Sequence, residues 1–175
     1  PSWARERAST SARRPAAWES RLPPRRSSLV LTPVAQEVRK TIEFFEFVLE
    51  ESGARVEIEG DVLAEAQLET ALFRRAMSNL LQNAIEHSPP GARIAVRLRE
   101  TPAATWIGVS NPGAPIAEAH LQHLFDRFYR ADPSRTGSDQ SHGLGLAIVQ
   151  RLCERYHWHL MVTSAPGRGT EVAIR

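Results

Sequence analysis

The chain has a single cysteine, Cys153, so no internal disulfide can form and nothing in its thiol content argues for secretion. No uninterrupted apolar run approaches the roughly 18 residues that a membrane helix needs, and residues 1–28 lack the apolar core of a secretory signal. No Gly-Lys-Ser or Gly-Lys-Thr occurs, which excludes a P-loop. No histidine precedes residue 87; all six lie there or later. Strong charge of one sign is missing too, the formal net charge being +2. Residues 1–28 hold seven arginines against Glu6 and Glu19, a local +5 that leaves −3 for the remainder. The positive excess therefore sits in the segment least suited to folding, and a basic field aimed at nucleic acid is not expected. These absences point to a soluble, cytoplasmic domain with no nucleic-acid or membrane contact of its own.

What is present fits one domain: 175 residues, 42% of them hydrophobic, suffice for one packed core. Residues 1–28 mix Ser, Arg, Pro and Ala without periodicity and read as a disordered leader or linker, so the ordered domain is expected over 29–175. Thr32-Pro33 predicts a helix start, a hydroxyl cap followed by proline at the first helical position. Val34, Val38, Ile42, Phe45, Val48 and Leu49 recur at steps of three and four, predicting an amphipathic helix that ends near Ser52-Gly53. Val56 and Ile58 alternate with charge in a short strand turning at Gly60-Asp61, and a second strand is expected around 62–66. Residues 68–87 read as a long helix, stopped by Pro89, Pro90 and Gly91. Ile94, Val96 and Leu98 alternate with arginines in a half-exposed strand, and 106–109 form the next, running into an Asn111-Pro112-Gly113 turn. A short helix over 117–124, a polar mobile loop over 131–142, a helix over 145–156 and strands over 160–163 and 171–174 complete the chain. Paired strands interrupted by helices predict a two-layer α/β sandwich: a mixed, mostly antiparallel sheet covered on one face by helices.

Three segments carry chemistry. Asn79, Asn83 and His87 are spaced by four and share one helix face. A polar stripe on a buried helix is costly unless it meets a polar ligand, and an amide oxygen suits Mg²⁺; spacing alone leaves an ordinary solvated face equally open. Asn111 to Ile116 follow a strand, where Gly113 lets the backbone approach a flat ligand and Asn111 offers both a donor and an acceptor. Gly143-Leu144-Gly145 opens a helix, whose free N–H groups and dipole favour phosphate. Each signal alone is weak.

Together, and in this order, they resemble the N, G1 and G2 boxes of the GHKL superfamily, the Bergerat-type ATP-binding fold of gyrase, MutL and histidine kinases. Leu124 to Arg130, reading LFDRFYR, resembles the F box of histidine kinases. With Asn-Pro-Gly before it and Asp132-Pro133-Ser134-Arg135 after it, the wording is similar to heavy-metal (copper-type) sensor kinases. The resemblance spans 29–175 and implies ATP and Mg²⁺ as cofactors. It implies that Asn83 coordinates the metal, with Asn79 and His87 lining the same pocket. Asn111 would meet the adenine amino group, with Gly113 and Ile116 beside it and Gly169-Thr170 flanking the ring. Phe125 and Phe128 would anchor an ATP lid over 129–142, and Arg130 with the backbone of Gly143, Leu144 and Gly145 would contact phosphate.

Departures from the family pattern carry expectations of their own. Most relatives have Asp where Asn111 stands, which implies somewhat weaker binding without charge assistance. Glu86 replaces a commonly basic residue. His157 stands where glycine commonly ends the last long helix, so that turn is expected to be strained; His157 and His159 otherwise read as surface residues, not metal ligands. Asn79 occupies the place of the water-activating glutamate of the ATPase members and cannot act as a general base, and Glu65 and Glu69 lie too far upstream to replace it. The implied function is therefore the catalytic domain of a sensor histidine kinase in two-component signal transduction, donating the ATP γ-phosphate to a histidine. With no early histidine, the acceptor is expected on a dimerisation domain elsewhere, passing phosphate to a response regulator, in a parent kinase anchored in the inner membrane. The other reading is a degenerate module of the same fold acting through protein contacts.

Overall fold

A computed structural model describes residues 29–129 and 143–175. The expected leader, Arg130 and the polar loop of 131–142 lie outside the described residues. In chain order the elements are β1 (Val30–Pro33), α1 (Val34–Glu43), α2 (Glu46–Ser52), β2 (Arg55–Gly60), β3 (Glu65–Leu68), α3 (Thr70–Glu86), β4 (Arg93–Thr101), β5 (Ala104–Asn111), α4 (Glu118–Leu121), α5 (Gly145–Tyr156), β6 (Leu160–Ala165) and β7 (Gly169–Ile174).

An apolar residue at every second position gives the main sheet one buried face. Its five strands run in the order β2-β4-β5-β7-β6. β2 and β4 pair in parallel and every other neighbour is antiparallel, so the mixed, mostly antiparallel sheet is as expected. Register lines up Ile58, Val96, Val109, Val172 and Val162 in one row across the sheet, with Leu98, Ile107, Ile174 and Leu160 in another. Both rows belong to the core. α3 lies over them with Phe73, Met77, Leu80 and Leu81 fully buried, each such side chain contributing roughly 1.5–3 kcal/mol by leaving water. α1 and α5 both pack against α3. Among the described residues no helix is long and apolar enough to cross a membrane.

The opposite face carries charge. Arg93 bridges Glu57 and Glu59 at 2.7 Å, and Arg97 bridges Glu59 and Glu171 at 3.2 Å. These pairs are solvent-accessible, and surface bridges of this kind contribute little individually. They mark the solvent side of a two-layer fold.

Four sequence expectations need correction. Thr32 caps no helix: it lies in β1 opposite Ala66 and donates its hydroxyl to Val30 O. Pro33 is the residue before the helix rather than its first, and the first helical N–H, of Val34, goes to Ala64 O at 3.0 Å. A carbonyl from a distant turn thus satisfies the donor that a side-chain cap was expected to take. The helix expected to run unbroken to Ser52-Gly53 is broken at Phe44-Phe45, where Phe45 N–H turns back to Ile42 O at 2.8 Å. Leu49 is buried after the break, whereas Phe44 and Phe47 are 83% and 77% exposed. The strand expected at 62–66 forms later, at Glu65–Leu68, because Val62 and Ala64 donate into a turn with Gly60 and Asp61; it pairs with β1 and not with β2. The short helix expected over 117–124 is confined to Glu118–Leu121.

Glu37 is the one acidic side chain buried at the α1–α3 contact, 4% exposed, and it accepts from Lys40 at 2.8 Å and Arg74 at 2.5 Å. Desolvation pushes its pKa up, but the hydrogen bonds and charges of Lys40 and Arg74 together outweigh it, so the carboxyl titrates below its usual range. A depressed folded pKa adds stability above the unfolded value and loses it as pH falls through the folded one. Replacing Glu37 by Gln is expected to cost about 1–3 kcal/mol at pH 7 in urea unfolding. That deficit should shrink toward zero as pH falls through the carboxylate range; an equal deficit at pH 3 would contradict the assignment.

His157 closes α5 with φ 56° and ψ 32°, in the left-handed region, and both its N–H and that of Trp158 reach Cys153 O. The strain expected there is present, since a β-carbon is disfavoured in this conformation. His157→Gly should raise stability by about 0.5–1 kcal/mol in thermal or urea unfolding.

Candidate functional site

One step beyond the last apolar row, the buried sheet face becomes polar. Asn111 on β5 is paired with Thr170 on β7, and Thr170 with Ser164 on β6. Asn111 and Thr170 are only 4% and 6% exposed, a costly position for polar groups without partners. Each has one. Ser164 Oγ and Thr170 Oγ1 are 2.9 Å apart, Ile116 N–H donates to Ser164 Oγ at 2.9 Å, and Asn111 Nδ2 donates to His87 O at 3.3 Å. The approach that seats this row is made by Gly169, with φ 72°: a Cβ there would stand 2.0 Å from Asn111 O and 2.9 Å from Pro112 Cα. Only glycine fits, so Gly169-Thr170 is laid directly on Asn111-Pro112.

The second wall is the C-terminal half of α3. Asn79 and Asn83 are half-buried and His87 is the exposed residue that closes the helix. Asn79 Nδ2 donates to Arg75 O at 2.7 Å, which turns its amide oxygen outward. Gly145, the first residue of α5, meets that oxygen: a Cβ would lie 3.2 Å from Asn79 Oδ1. At the other end of the stripe a Cβ on Gly113 would stand 2.6 Å from His87 O and 3.3 Å from Asn111 Nδ2. The glycine expected to admit a flat ligand thus also lets the 111–113 loop close on the helix end. Asn83 lies one helical turn from both Asn79 and His87, between the two contacts.

α5 begins at Gly145 with Leu144 before it, and among the described residues no side chain caps its first N–H groups. A twelve-residue helix opening beside Asn79, with no side-chain cap among the described residues, turns its first N–H groups and the positive end of its dipole to that wall. Phe125 is half-buried. Phe128 holds the region through its main chain, its N–H donating to Gly143 O at 3.0 Å while its ring stays 69% exposed. Phe128 has φ 64°, a strained value for a non-glycine residue. Arg130 lies outside the described residues.

The structure therefore gathers Asn79, Asn83, His87, Asn111, Gly113, Ile116, Gly145 and Thr170 at one end of the sheet. Glu86 is exposed and accepts from Gln82 along its own helix at 2.9 Å. Glu69 immediately precedes α3 and accepts from Tyr156 at 2.5 Å, ten residues before Asn79. Cys153 is buried, and desolvation pushes its pKa up to about 11, so it is an inert thiol. Among the described residues no cluster of three His, Cys, Asp or Glu side chains could hold a metal. Two features escaped the sequence reading. Ser164 carries no motif of its own, although counting a hairpin outward from Pro166-Gly167 would have set it opposite Thr170. The His87 carbonyl is a main-chain group and leaves no trace in residue type.

The sequence profile of the family described as histidine kinase-, DNA gyrase B-, and HSP90-like ATPase matches residues 68–175. The sensor histidine kinase CusS of Escherichia coli O157:H7 is 43% identical over 141 residues, 81% of this chain and 29% of that protein. The chain thus spans under a third of the length of the curated relatives it matches. Among solved structures, a mycobacterial sensor histidine kinase, MprB, superposes with a TM-score of 0.71 at 25% identity, over 83% of this chain and 95% of that one. Full-length ShkA in complex with AMPPNP has the same fold, with a TM-score of 0.67 at 20% identity over 83% of this chain and 30% of that one.

Gly167 and Gly169 share a φ of 72°, but a Cβ at Gly167 meets nothing within 4 Å. Gly167→Ala should cost about 1 kcal/mol, the conformational term alone. Gly169→Ala should cost at least about 2 kcal/mol more, since main chain must move. Melting curves of the two variants check this, and equal shifts would contradict the contact.

Proposed function

The chain belongs to the histidine kinase-, DNA gyrase B- and HSP90-like ATPase family, and from that membership we propose that it is the ATP-binding catalytic domain of a sensor histidine kinase. It would hold Mg·ATP and present the γ-phosphate to a histidine on a dimerisation domain, from which a response regulator is charged. The observation that carries this reading is the meeting of three surfaces at one end of the sheet: the amide stripe of α3, the uncapped start of α5 and the buried polar row of Asn111 and Thr170.

Each surface suits one part of the nucleotide. The α5 N–H groups suit phosphate oxygens. The Asn83 amide oxygen is a hard donor, fit for a cation that takes most of its remaining ligands from phosphate and water. Magnesium, when bound, would neutralise charge on the phosphates. Asn111 and Thr170 are buried hydrogen-bonding groups at the mouth of an apolar face, as a purine edge requires. Asn79 faces Gly145 with an amide oxygen, which cannot take a proton from water at neutral pH. The chain is thus suited to hold ATP for transfer and not to hydrolyse it, since phosphoryl transfer asks chiefly for positioning and charge neutralisation.

A titration with fluorescent ATP should be saturable with Mg²⁺ and much weaker with chelator. Asn83→Ala should weaken the metal-dependent binding about tenfold or more, roughly 1.4 kcal/mol. Steady phosphate release from the isolated chain should stay at background. The absence of metal-dependent binding would overturn the reading, and turnover of a few per minute would overturn the role given to Asn79.

A further inference from the structure

Asparagine at position 111 poses a problem that a carboxylate would not. A carboxylate only accepts hydrogen bonds, so it can accept one from a 6-amino purine and repels a 6-oxo purine. An amide has an accepting and a donating side and, by turning over, can serve either ring. Left free to turn, Asn111 would make an unselective pocket.

Here the amide is not free to turn. Its Nδ2 donates to the main-chain carbonyl of His87 at 3.3 Å. A carbonyl oxygen accepts only, so turning the amide would set Oδ1 against it, oxygen to oxygen, in a place where the side chain is 4% exposed. Several features hold the carbonyl itself. It belongs to the residue that closes α3, and His87 N–H is bonded back to Asn83 O and Ile85 O. Gly113 packs against it so closely that a Cβ would come within 2.6 Å. On the Asn111 side, β7 pins the main chain through the Asn111–Thr170 pairing and the Gly169 contact. Neither partner can easily withdraw from the other.

We propose that the His87 carbonyl locks the Asn111 amide in one orientation, nitrogen toward the helix end and oxygen toward the ligand, making an uncharged residue selective for 6-amino over 6-oxo purine nucleotides. This rests on the nucleotide-site reading above. Thr170 and Ser164 do not set the selectivity: of two hydroxyls 2.9 Å apart, either can donate to the other. Among the three side chains of this row the amide is the one with distinct donating and accepting ends.

Inosine triphosphate differs from ATP only in its 6-oxo group and N1 proton, and so tests the lock directly. Calorimetric titration of the full chain with each nucleotide in Mg²⁺ should give at least about tenfold tighter binding of ATP. ATP binding with inosine triphosphate within twofold would overturn the lock while leaving the nucleotide site standing. Binding of neither would overturn both.

A second variant reads the amide–carbonyl contact without ligand. Asn111→Asp places a carboxyl opposite His87 O, where only the protonated acid can donate. Its folded pKa should therefore be raised, with stability greatest below the unfolded value and lost as pH rises through the folded one. The melting temperature of the variant should fall relative to the parent between pH 5 and pH 8; parallel pH profiles would overturn the contact.

Discussion

Main chain packed against main chain at Gly169 and Asn111 is the constraint on which the site depends. A Cβ at 2.0 Å cannot be accommodated by rotating a side chain, so β7 must sit where it does against β5. With that register set, Val172 falls beside Val109 and Thr170 beside Asn111. One face of one sheet is thus apolar under α3 and polar at its end. The core and the site are successive rows of the same pleat, and the stability of the first positions the second.

α3 links them. Its first turns bury Phe73 and Met77, its middle buries Leu80 and Leu81, and its polar edge carries Asn79, Asn83 and His87. A helix fastened by its apolar side holds its polar side still without a hydrogen bond from every polar residue. Glu37 and Arg74 anchor the same helix to α1, away from the site. On the proposed reading the α5 start meets phosphate and Asn111 a polar ring edge, while Glu69, just before α3, is engaged by Tyr156.

Much of this was legible from residue types. The helices α3 and α5 and the strands expected around 94–98 and 171–174 follow from unbroken periodicity, although β4 and β7 run longer than expected, over Arg93–Thr101 and Gly169–Ile174. The family was legible only from the three boxes taken together and in order, each being weak alone. The break at Phe44-Phe45 was not, because both sides of it keep the same apolar rhythm. The start of α1 was misread because Ala64 O, thirty residues away in sequence, supplies what Thr32 was expected to supply. Carbonyl groups account for the largest gaps: Ala64, His87 and Asn111 each act through an oxygen that every residue type possesses.

On the proposed reading, nucleotide binds where the ends of α3 and β5 meet the start of α5. Amide NMR of the full chain, recorded during titration with the magnesium complex of a non-hydrolysable ATP analogue, tests it most directly. The expected shifts are at Asn83, His87, Gly113, Ile116, Gly145 and Thr170, with Glu57, Arg93 and Arg97 on the charged face unmoved. Shifts confined to the charged face, or spread evenly over both faces, would contradict it.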